Sequence, residues 1–223
     1  MNSIPALFAC IEAQEHRFQN FLARLTAQES FSLDRESVSL AAELTAAFAK
    51  ELGFSVEEHP FPRAGSGLVV SRETGSVSAP IGFVAHLDTV HPAGSFPDSL
   101  KPAPEGGLYG PGIVDCKGGV AVALLAMYAL KELGFSRPLR LLLTPDEEVS
   151  NRLTGDDGIA FLQSHVKDCA AAFVCECGKR DEAVVERKGI TKVRVDIRGR
   201  AAHAGMYYAE GFSAVREAAY QIL

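Results

Sequence analysis

The sequence contains no run of basic residues. Its 22 lysines and arginines are outnumbered by 28 aspartates and glutamates, which gives a formal net charge of −6 at pH 7. Proteins that bind nucleic acid usually display clustered Lys and Arg side chains that neutralise phosphates. We therefore expect no nucleic-acid partner.

Long apolar stretches are also lacking. The longest is VAVALLAMYAL at 120–130, which is much shorter than the roughly 20 residues that a transmembrane helix needs. We interpret it as a buried helix and expect no membrane partner. The first residues have neither the basic start nor the long apolar core of a signal peptide, so we expect none here.

Cysteine is scarce and its count is odd, so the sequence shows no disulfide framework. The five residues are Cys10, Cys116, Cys169, Cys175 and Cys177. Without a secretory signal, this pattern is typical of a protein in a reducing compartment. We expect a cytoplasmic location.

The chain is long enough for one good hydrophobic core, or for one domain and part of another. It has 223 residues, of which 47% are hydrophobic and 22% are charged, as in ordinary soluble globular proteins. Short, continuous apolar runs typical of buried strands alternate with helical segments. This alternation predicts an α/β domain with a mostly parallel sheet flanked by helices.

The individual elements follow from apolar periodicity and from Gly and Pro positions. Asp34 is placed to cap the second helix, and Gly53 to end it. Residues 91–112 are rich in Pro and Gly and predict a long surface loop, of the kind that often carries function. Helices are predicted at 6–28, 34–52, 118–133 and 158–166, and strands at 54–61, 67–72, 81–85, 139–143 and 170–175.

The pattern of apolar residues changes near residue 184. Residues 192–198, KVRVDIR, alternate polar and apolar side chains, which is typical of a strand with one solvent-exposed face. A last helix is predicted at about 211–223. We predict a domain boundary that separates residues 1–183 from residues 184–223.

Six acidic or imidazole side chains lie at predicted strand ends or just before a predicted helix. They are His86, Asp88, Asp115, Glu147, Glu148 and Glu176. Ligands bind outside the carboxyl ends of the strands in an open parallel sheet, so we expect these groups to converge. Histidine combined with spaced carboxylates is a ligand set that holds divalent metal for hydrolysis.

The first pair is predicted to place one metal ligand and its support. A ring nitrogen of His86 would bind metal, and Asp88 would hold the other ring nitrogen and fix the tautomer. The alternative is a hydrogen-bonded core histidine beside a turn aspartate. Asp115 is predicted to bridge two metals roughly 3.5–4 Å apart, with neighbouring glycines that let backbone approach the ion. Its alternative is a helix N-cap.

Glu147 and Glu148 are successive carboxylates at a buried strand end, and they would repel each other unless metal or a proton lay between them. We assign Glu148 as a metal ligand and Glu147 as the general base. The alternative is a pair of exposed acids in a charged loop with Asp146.

Glu176 lies between Cys175 and Cys177 and is predicted to complete the shell of the first metal. We interpret the two cysteines as small buried residues, because a structural zinc site needs a matching second pair. His203, in GRAAHAG, follows the alternating strand of the second domain. It could reach substrate or a neighbouring chain, and the alternative is a surface histidine.

Five segments occur in one order from about residue 15 to the end: AHLDTV, LYGPGIVDCKGG, TPDEEV, the strand ending at Glu176, and GRAAHAG. Together they resemble the co-catalytic zinc metallopeptidase family of aminoacylase, acetylornithine deacetylase, succinyl-diaminopimelate desuccinylase and glutamate carboxypeptidase. HLDTV, YGPGIVDCKGG and ERKGITKVRVDIRGRAAHAG resemble the glutamate-carboxypeptidase-like branch most.

The resemblance implies a role for each site residue. His86 and Glu176 would bind one zinc ion and Glu148 the other, with Asp115 between them and Asp88 orienting His86. Glu147 would be the general base and then the proton donor to the leaving amine. His203 would stabilise the oxyanion or hold a substrate carboxylate. Cobalt or manganese could replace zinc.

The resemblance also implies an architecture. Residues 1–183 would form the N-terminal portion of a zinc-peptidase catalytic domain, and residues 184–223 would begin an α+β lid that makes a homodimer in the full-length protein. The family carries a further metal-ligating His well beyond the lid, and this sequence ends before that point. We expect a fragment with one metal site intact and the other short by a ligand, exposed at its sheet edge and prone to aggregate. Glu176 is followed by Cys177-Gly178, where the family commonly has proline.

The implied reaction is hydrolysis of an amide bond next to a free carboxylate, in a small peptide or an N-acyl amino acid. Water shared by the two metals would be the nucleophile and Glu147 the base. Two alternatives stay open: an aminopeptidase or dipeptidase of the same family, and a non-catalytic binding protein on the same fold. A pure binder would have no need of Glu147.

Overall fold

The computed structural model describes residues 3–96, 100–103, 107–179, 182–191 and 193–222. It divides the chain into two compact units, Met1–Lys179 and Arg180–Leu223. Among the described residues, every strand and every α-helix except the last belongs to the first unit. That the second unit belongs to a lid and dimerisation domain stays a prediction.

The strands of the first unit are β1 (Ser55–Pro60), β2 (Ser66–Arg72), β3 (Ile81–His86), β4 (Lys101–Pro102), β5 (Leu108–Tyr109), β6 (Leu139–Thr144) and β7 (Ala171–Val174). Five of them form one sheet in the order β1-β2-β6-β3-β7. Strand β3 pairs in parallel with β6 and β7, whereas β2 pairs antiparallel with β1 and β6. A further antiparallel pair joins β4 and β5.

This architecture confirms the α/β class, but the sheet is mixed, with two parallel and two antiparallel pairings. The connection from β1 to β2 spans only residues 61–65. So short a link permits an antiparallel hairpin, whereas a parallel pair needs a crossover of about a dozen residues or more. The parallel half, β6-β3-β7, is the part that the apolar runs predicted, and it carries the candidate site.

The described residues form six α-helices: α1 (Ile4–Ala13), α2 (Glu15–Ala27), α3 (Arg35–Glu51), α4 (Gly118–Glu132), α5 (Asp156–Val166) and α6 (Ala214–Ile222). The predicted cap of α3 is present, because the Asp34 carboxylate accepts the backbone N–H groups of Glu36 and Ser37. Gly53 ends this helix with φ of +82°, a conformation that glycine adopts without strain.

The central strands are buried on both faces. Side chains at alternate positions, such as Leu141 and Leu143, join the core beneath α2, α3 and α4. Their neighbour Leu142 joins a smaller core with Phe161 of α5. Each fully buried side chain of this size stabilises the fold by roughly 1.5–3 kcal/mol, and two-sided burial explains why these strands read as continuous apolar runs.

Helix α4 is apolar because it packs in the core of the first unit. The segment Ile113–Glu132 is long and apolar enough to cross a membrane by these two criteria. However, Val120, Leu124 and Met127 are fully buried in the main core. Packing on the sheet therefore explains its apolar sequence as that of a core helix, as predicted for residues 120–130.

The prediction of one continuous helix over residues 6–28 is wrong. The structure has two helices separated at Gln14, whose backbone N–H bonds back to Ile11 and Glu12. Helix α2 buries Phe18, Phe21 and Leu25, whereas no residue of α1 is buried. The two segments pack differently, and a break between them lets α2 place its apolar face on the core.

The predicted strand at 192–198 does not form over its described residues, 193–198. Val193 and Val195 are 79% and 61% exposed, and no other described segment pairs with them. A strand needs a neighbour for its backbone hydrogen bonds, so the alternating pattern alone is insufficient. The second unit instead contains an isolated bridge between Arg200 and Phe212 and the helix α6. Positions 192 and 223 of the predicted elements lie outside the described residues, as do 97–99 and 104–106 of the predicted loop.

Candidate metal centre

His86 is the centre of the candidate site. It is the last residue of β3 and is fully buried. Its Nε2 atom lies 2.8 Å from Asp115 Oδ1 and 3.5 Å from Glu176 Oε1. The parallel register pairs Val84 with Val174, so Glu176 lies opposite His86 just beyond the end of the ladder. The sheet itself therefore brings these two side chains together.

Two overlapping groups of potential ligand atoms meet there. Nitrogen or oxygen atoms of His86, Asp115 and Glu148 lie within 4.8 Å of one another, and so do those of His86 and Glu176 with the sulfur of Cys116. All four predicted metal ligands, His86, Asp115, Glu148 and Glu176, are thus in one cluster. Cys116 is an addition that the sequence analysis did not identify.

Cys116 explains how Asp115 reaches the end of β3. Its buried sulfur accepts a hydrogen bond from the backbone N–H of His86 at 3.1 Å and donates one to the His86 carbonyl at 3.5 Å. This pair of contacts attaches the loop to the strand. The side chain of Asp115 itself is 49% exposed. The peptide bond between Asp115 and Cys116 is cis.

The glycines after Asp115 allow close contacts within the protein. A Cβ atom on Gly118 would lie 2.2 Å from the carbonyl oxygen of Ile113, and one on Gly119 would lie 1.9 Å from that of Cys175. They permit close backbone approach within the protein, and their role beside an ion stays a prediction. Asp115 is also not the cap of α4, because Lys117 occupies that position.

Asp88 supports both sides of the cluster. Its backbone carbonyl lies 3.0 Å from His86 Nδ1, and its Oδ1 atom lies 3.3 Å from the same nitrogen. Its carboxylate also accepts the backbone N–H groups of Glu147 at 3.0 Å and Glu148 at 3.2 Å, and the hydroxyl of Ser32 at 2.6 Å. The predicted contact to the imidazole is therefore present beside a larger set of contacts to the turn after β6.

The three acidic residues in the turn after β6 differ in how deeply they are buried. Asp146 is fully buried and accepts hydrogen bonds from the backbone of Leu153 and from the backbone and hydroxyl of Thr154. Glu148 is half-buried and faces the cluster, whereas Glu147 is exposed. Asp146 thus fixes the turn, so the alternative of a solvated charge run does not describe this segment.

The crowding of charge shifts the pKa values of these groups. Burial, and then the Asp115 carboxylate, raise the pKa of Glu148 to about 7. Burial also raises the pKa of Glu176, against the attraction of His86. Burial alone would lower the pKa of His86, but hydrogen bonds with Asp88 and Cys116 raise it to about 12. The cluster therefore retains protons, which a divalent cation would replace on binding.

The remaining predicted residues are His203 and the two cysteines beside Glu176. His203 belongs to the second unit, is exposed, and accepts the backbone N–H groups of Gly205 and Met206 at Nδ1. Cys175 is half-buried, but Cys177 is exposed, which corrects the prediction that both are buried. All five cysteines are free thiols.

The donor set fits a divalent metal. His86 shares one group of donor atoms with Asp115 and Glu148 at the carboxyl end of the parallel strands, and Glu176 lies 3.5 Å from its Nε2 atom. The second ring nitrogen of His86 is already held by Asp88. Zinc, cobalt and manganese accept this mixture of nitrogen and oxygen ligands. Ser32 and Lys117 were missed by sequence reasoning, because a lone serine in a loop and a lysine beside glycines carry no periodic signal. Burial lowers the pKa of Lys117 to about 8.

The chain is similar to three curated relatives over part of their length. Over 209 residues the chain is 29% identical to carboxypeptidase G2 of Pseudomonas sp. (strain RS-16). This alignment covers 91% of this chain and 49% of that protein. The chain is 33% identical to the succinyl-diaminopimelate desuccinylase of Acidiphilium cryptum (strain JF-5), over 68% of this chain and 42% of that protein. It is also 33% identical to the acetylornithine deacetylase of Myxococcus xanthus, over 73% of this chain and 42% of that protein. The chain spans about half the length, or less, of these relatives.

Solved structures share the fold at low sequence identity. Human carnosine dipeptidase 1 aligns with a TM-score of 0.66 at 18% identity, over 77% of this chain and 41% of that one. Aminopeptidase PepT of Bacillus cereus ATCC 10987 aligns with a TM-score of 0.62 at 21% identity, over 92% of this chain and 55% of that one. These alignments confirm the predicted fold class.

A family profile decides the classification. Residues 82–223 match the profile described as peptidase family M20/M25/M40. This range contains the end of β3, the Asp115 loop, the turn after β6 and Glu176. Because the match covers more than half of the chain, and the predicted resemblance concerned the same segments, the chain belongs to peptidase family M20/M25/M40.

Proposed function

We propose that this chain carries the metal-binding part of a hydrolase that cleaves an amide bond next to a free carboxylate, in a small peptide or an N-acyl amino acid. The observation that carries the proposal is the convergence of His86, Asp115, Glu148 and Glu176 at one sheet edge. The relatives named as a carboxypeptidase, a desuccinylase and a deacetylase support this substrate class.

The cluster supplies the residues that would hold metal. His86 and Glu176 would bind one ion and Glu148 a second, with Asp115 shared between them. Zinc is the ion we propose, with cobalt or manganese as substitutes, since all three suit imidazole and carboxylate ligands. When bound, such a metal polarises the scissile carbonyl and makes water more acidic.

Glu147 is suited to proton transfer. Its side chain is exposed, while its backbone N–H is held by Asp88 at 3.0 Å, so an accessible carboxylate stands on a fixed turn. We assign it as the general base that takes a proton from the attacking water and delivers it to the leaving nitrogen. Asp88 is the positioning residue, because it holds this turn and the His86 ring together.

Three further assignments belong to the whole protein. We propose that His203 contacts substrate, either at the oxyanion or at the free carboxylate, and that the whole protein is a homodimer. We also propose a cytoplasmic location. Five free thiols support a reducing compartment, and cell fractionation tests it directly. Analytical ultracentrifugation of the whole protein tests the dimer.

The activity test compares matched substrates with and without chelator. N-acyl amino acids and dipeptides are each offered with a free and with an amidated C-terminal carboxylate, to this chain and to any form of the protein that continues past residue 223. We expect turnover of the free-carboxylate compounds in the longer form, lost with chelator and restored by zinc. Cleavage that ignores the C-terminal carboxylate but requires a free amino terminus would instead indicate an aminopeptidase. Metal binding without turnover of any substrate would indicate a binding protein.

A further inference from the structure

Ser32 reaches the metal centre from the segment between α2 and α3. It precedes Asp88 by 56 residues in the sequence, and it also precedes residues 82–223, which match the family profile. Its side chain is 1% exposed. The hydroxyl lies 2.6 Å from Asp88 Oδ2 and 3.1 Å from the carbonyl oxygen of Thr89. The proposed hydrolase activity assigns no task to this hydroxyl.

The Ser32 hydroxyl has one proton, and Asp88 is the stronger of its two acceptors. A distance of 2.6 Å is typical of a hydroxyl that donates to a carboxylate. The contact with Thr89 is longer, at 3.1 Å, and its acceptor is a neutral carbonyl. Asp88 is fully buried, and a hydrogen bond is electrostatically stronger where water is excluded. The hydroxyl therefore donates mainly to Asp88.

Backbone hydrogen bonds fix the position of this donor. The N–H of Ser32 donates to the carbonyl of Thr89 at 3.0 Å, and the N–H of Thr89 donates to the carbonyl of Ser30 at 2.8 Å. These contacts form a parallel bridge between Phe31 and Thr89. Thr89 follows Asp88 directly in the sequence, so the donor and its acceptor stand on paired backbone. The hydroxyl is therefore a fixed point against which the carboxylate is held.

The two oxygens of Asp88 contact different parts of the site. Oδ1 accepts the backbone N–H of Glu147 at 3.0 Å and lies 3.3 Å from His86 Nδ1. Oδ2 accepts the backbone N–H of Glu148 at 3.2 Å together with the hydroxyl of Ser32. Rotation of the carboxylate moves both oxygens at once. A donor that holds Oδ2 therefore also holds Oδ1 beside the imidazole.

We propose that Ser32 is a positioning residue of the metal centre and acts through Asp88 on His86 and Glu148. The inference rests on the proposed metal site. Without the hydroxyl, Oδ2 keeps the longer contact with the Glu148 N–H, and the carboxylate can turn away from the imidazole. His86 and Glu148 belong to one group of potential ligand atoms. Both would lose part of their fixed arrangement, which weakens metal binding.

Ser32→Ala and Ser30→Ala are the matched variants that test this role. Both remove a buried serine hydroxyl from the same segment, but Ser30 Oγ forms no hydrogen bond with any described residue. Competition with a chromophoric chelator measures zinc affinity, and the visible spectrum of the cobalt-loaded chain reports the ligand geometry. We expect Ser32→Ala to bind zinc about tenfold more weakly, as for residues that support metal ligands, and to change the cobalt spectrum. Ser30→Ala should match the unmodified chain in both measurements.

A purely structural role for Ser32 gives a different result. Chemical denaturation would then show a less stable metal-free Ser32→Ala chain, whereas zinc affinity and the cobalt spectrum of the folded chain would be unchanged. That result would overturn this inference alone. Equal losses of zinc affinity in Ser32→Ala and Ser30→Ala would overturn it too, because the effect would not depend on the contact with Asp88. An unmodified chain that binds no zinc would overturn the proposed metal site together with this inference.

Discussion

The carboxylate of Asp88 accepts a hydrogen bond of 3.0 Å from the backbone N–H of Glu147. The backbone carbonyl of the same aspartate lies 3.0 Å from His86 Nδ1. One fully buried residue thus connects the strand that ends in a candidate metal ligand to the turn that carries the candidate base. A change in its hydrogen bonding should therefore disturb metal binding and catalysis together.

Asp88→Asn tests this connection. In either orientation of the amide, its NH₂ group would face at least one of the backbone N–H donors of Glu147 and Glu148. We expect zinc affinity to fall about 10- to 100-fold, as for other residues that support metal ligands, and the free energy of unfolding to fall by about 1–3 kcal/mol. Isothermal titration and chemical denaturation measure the two effects.

Asp34→Asn is the matched control for that change. Asp34 caps α3 with a single oxygen, Oδ1, that accepts both backbone N–H groups, and asparagine caps a helix about as well as aspartate. It should leave zinc affinity and stability unchanged. If both variants bind zinc as the unmodified chain does, Asp88 does not position the site.

Glu147→Gln separates the chemistry from metal binding. Glutamine keeps the size of the side chain but cannot take a proton, so turnover in the whole protein should fall by at least about 100-fold, the usual range for a general base. Zinc stoichiometry should not change, because Glu147 is not among the clustered ligands. Glu58→Gln on β1, also an exposed carboxylate, is the control. Full activity of Glu147→Gln would remove its assignment as the base.

Gly119→Ala tests the contact between the start of α4 and the end of β7. The added Cβ would lie 1.9 Å from the carbonyl oxygen of Cys175, next to Glu176. The backbone must move apart, so we expect a loss of at least about 1–3 kcal/mol in stability and weaker zinc binding. Gly75→Ala is the control, because a Cβ there has no neighbour within 4 Å. Equal melting temperatures of the two variants would contradict the close approach.

Stability of the metal-free chain should depend on pH through Glu148. Its pKa rises from the ordinary 4.5 to about 7 in the folded protein, so the folded state binds the extra proton. The stability that this proton contributes to the fold is fully present below about pH 4.5 and is lost as the pH rises through 7. Zinc replaces the proton, so its affinity should increase with pH over the same window. Denaturation curves of the unmodified chain and of Glu148→Gln, each measured with and without zinc over this pH range, check both trends: the fall in stability and the rise in zinc affinity as the pH increases. A Glu148→Gln chain with an unchanged pH profile would exclude Glu148 as the cause.

The parallel core and the metal cluster could be predicted because both depend on local sequence. Continuous apolar runs gave β3, β6 and β7, and an acid or imidazole at the end of each run must lie at the same sheet edge. Asp115 was harder, because the Cys116 sulfur and the glycine contacts that place its loop are tertiary. The hydroxyl of Ser32 reaches Asp88 across 56 residues, which no short pattern reveals.

The errors have the same origin. The break at Gln14 and the missing strand at 193–198 depend on what each segment packs against, and the apolar period does not contain that information. The antiparallel half of the sheet likewise follows from a short connection after Pro60 rather than from the composition of β2.

Zinc stoichiometry is the most direct test of the metal centre. The chain, purified without chelator, is dialysed against buffered zinc and measured by mass spectrometry, beside Asp115→Ala and the control Glu57→Ala, whose carboxylate is exposed on β1. We predict one tightly held zinc ion per chain, retained in Glu57→Ala and lost or greatly weakened in Asp115→Ala. A chain that binds no zinc, or that holds it equally well without the Asp115 carboxylate, would contradict the account.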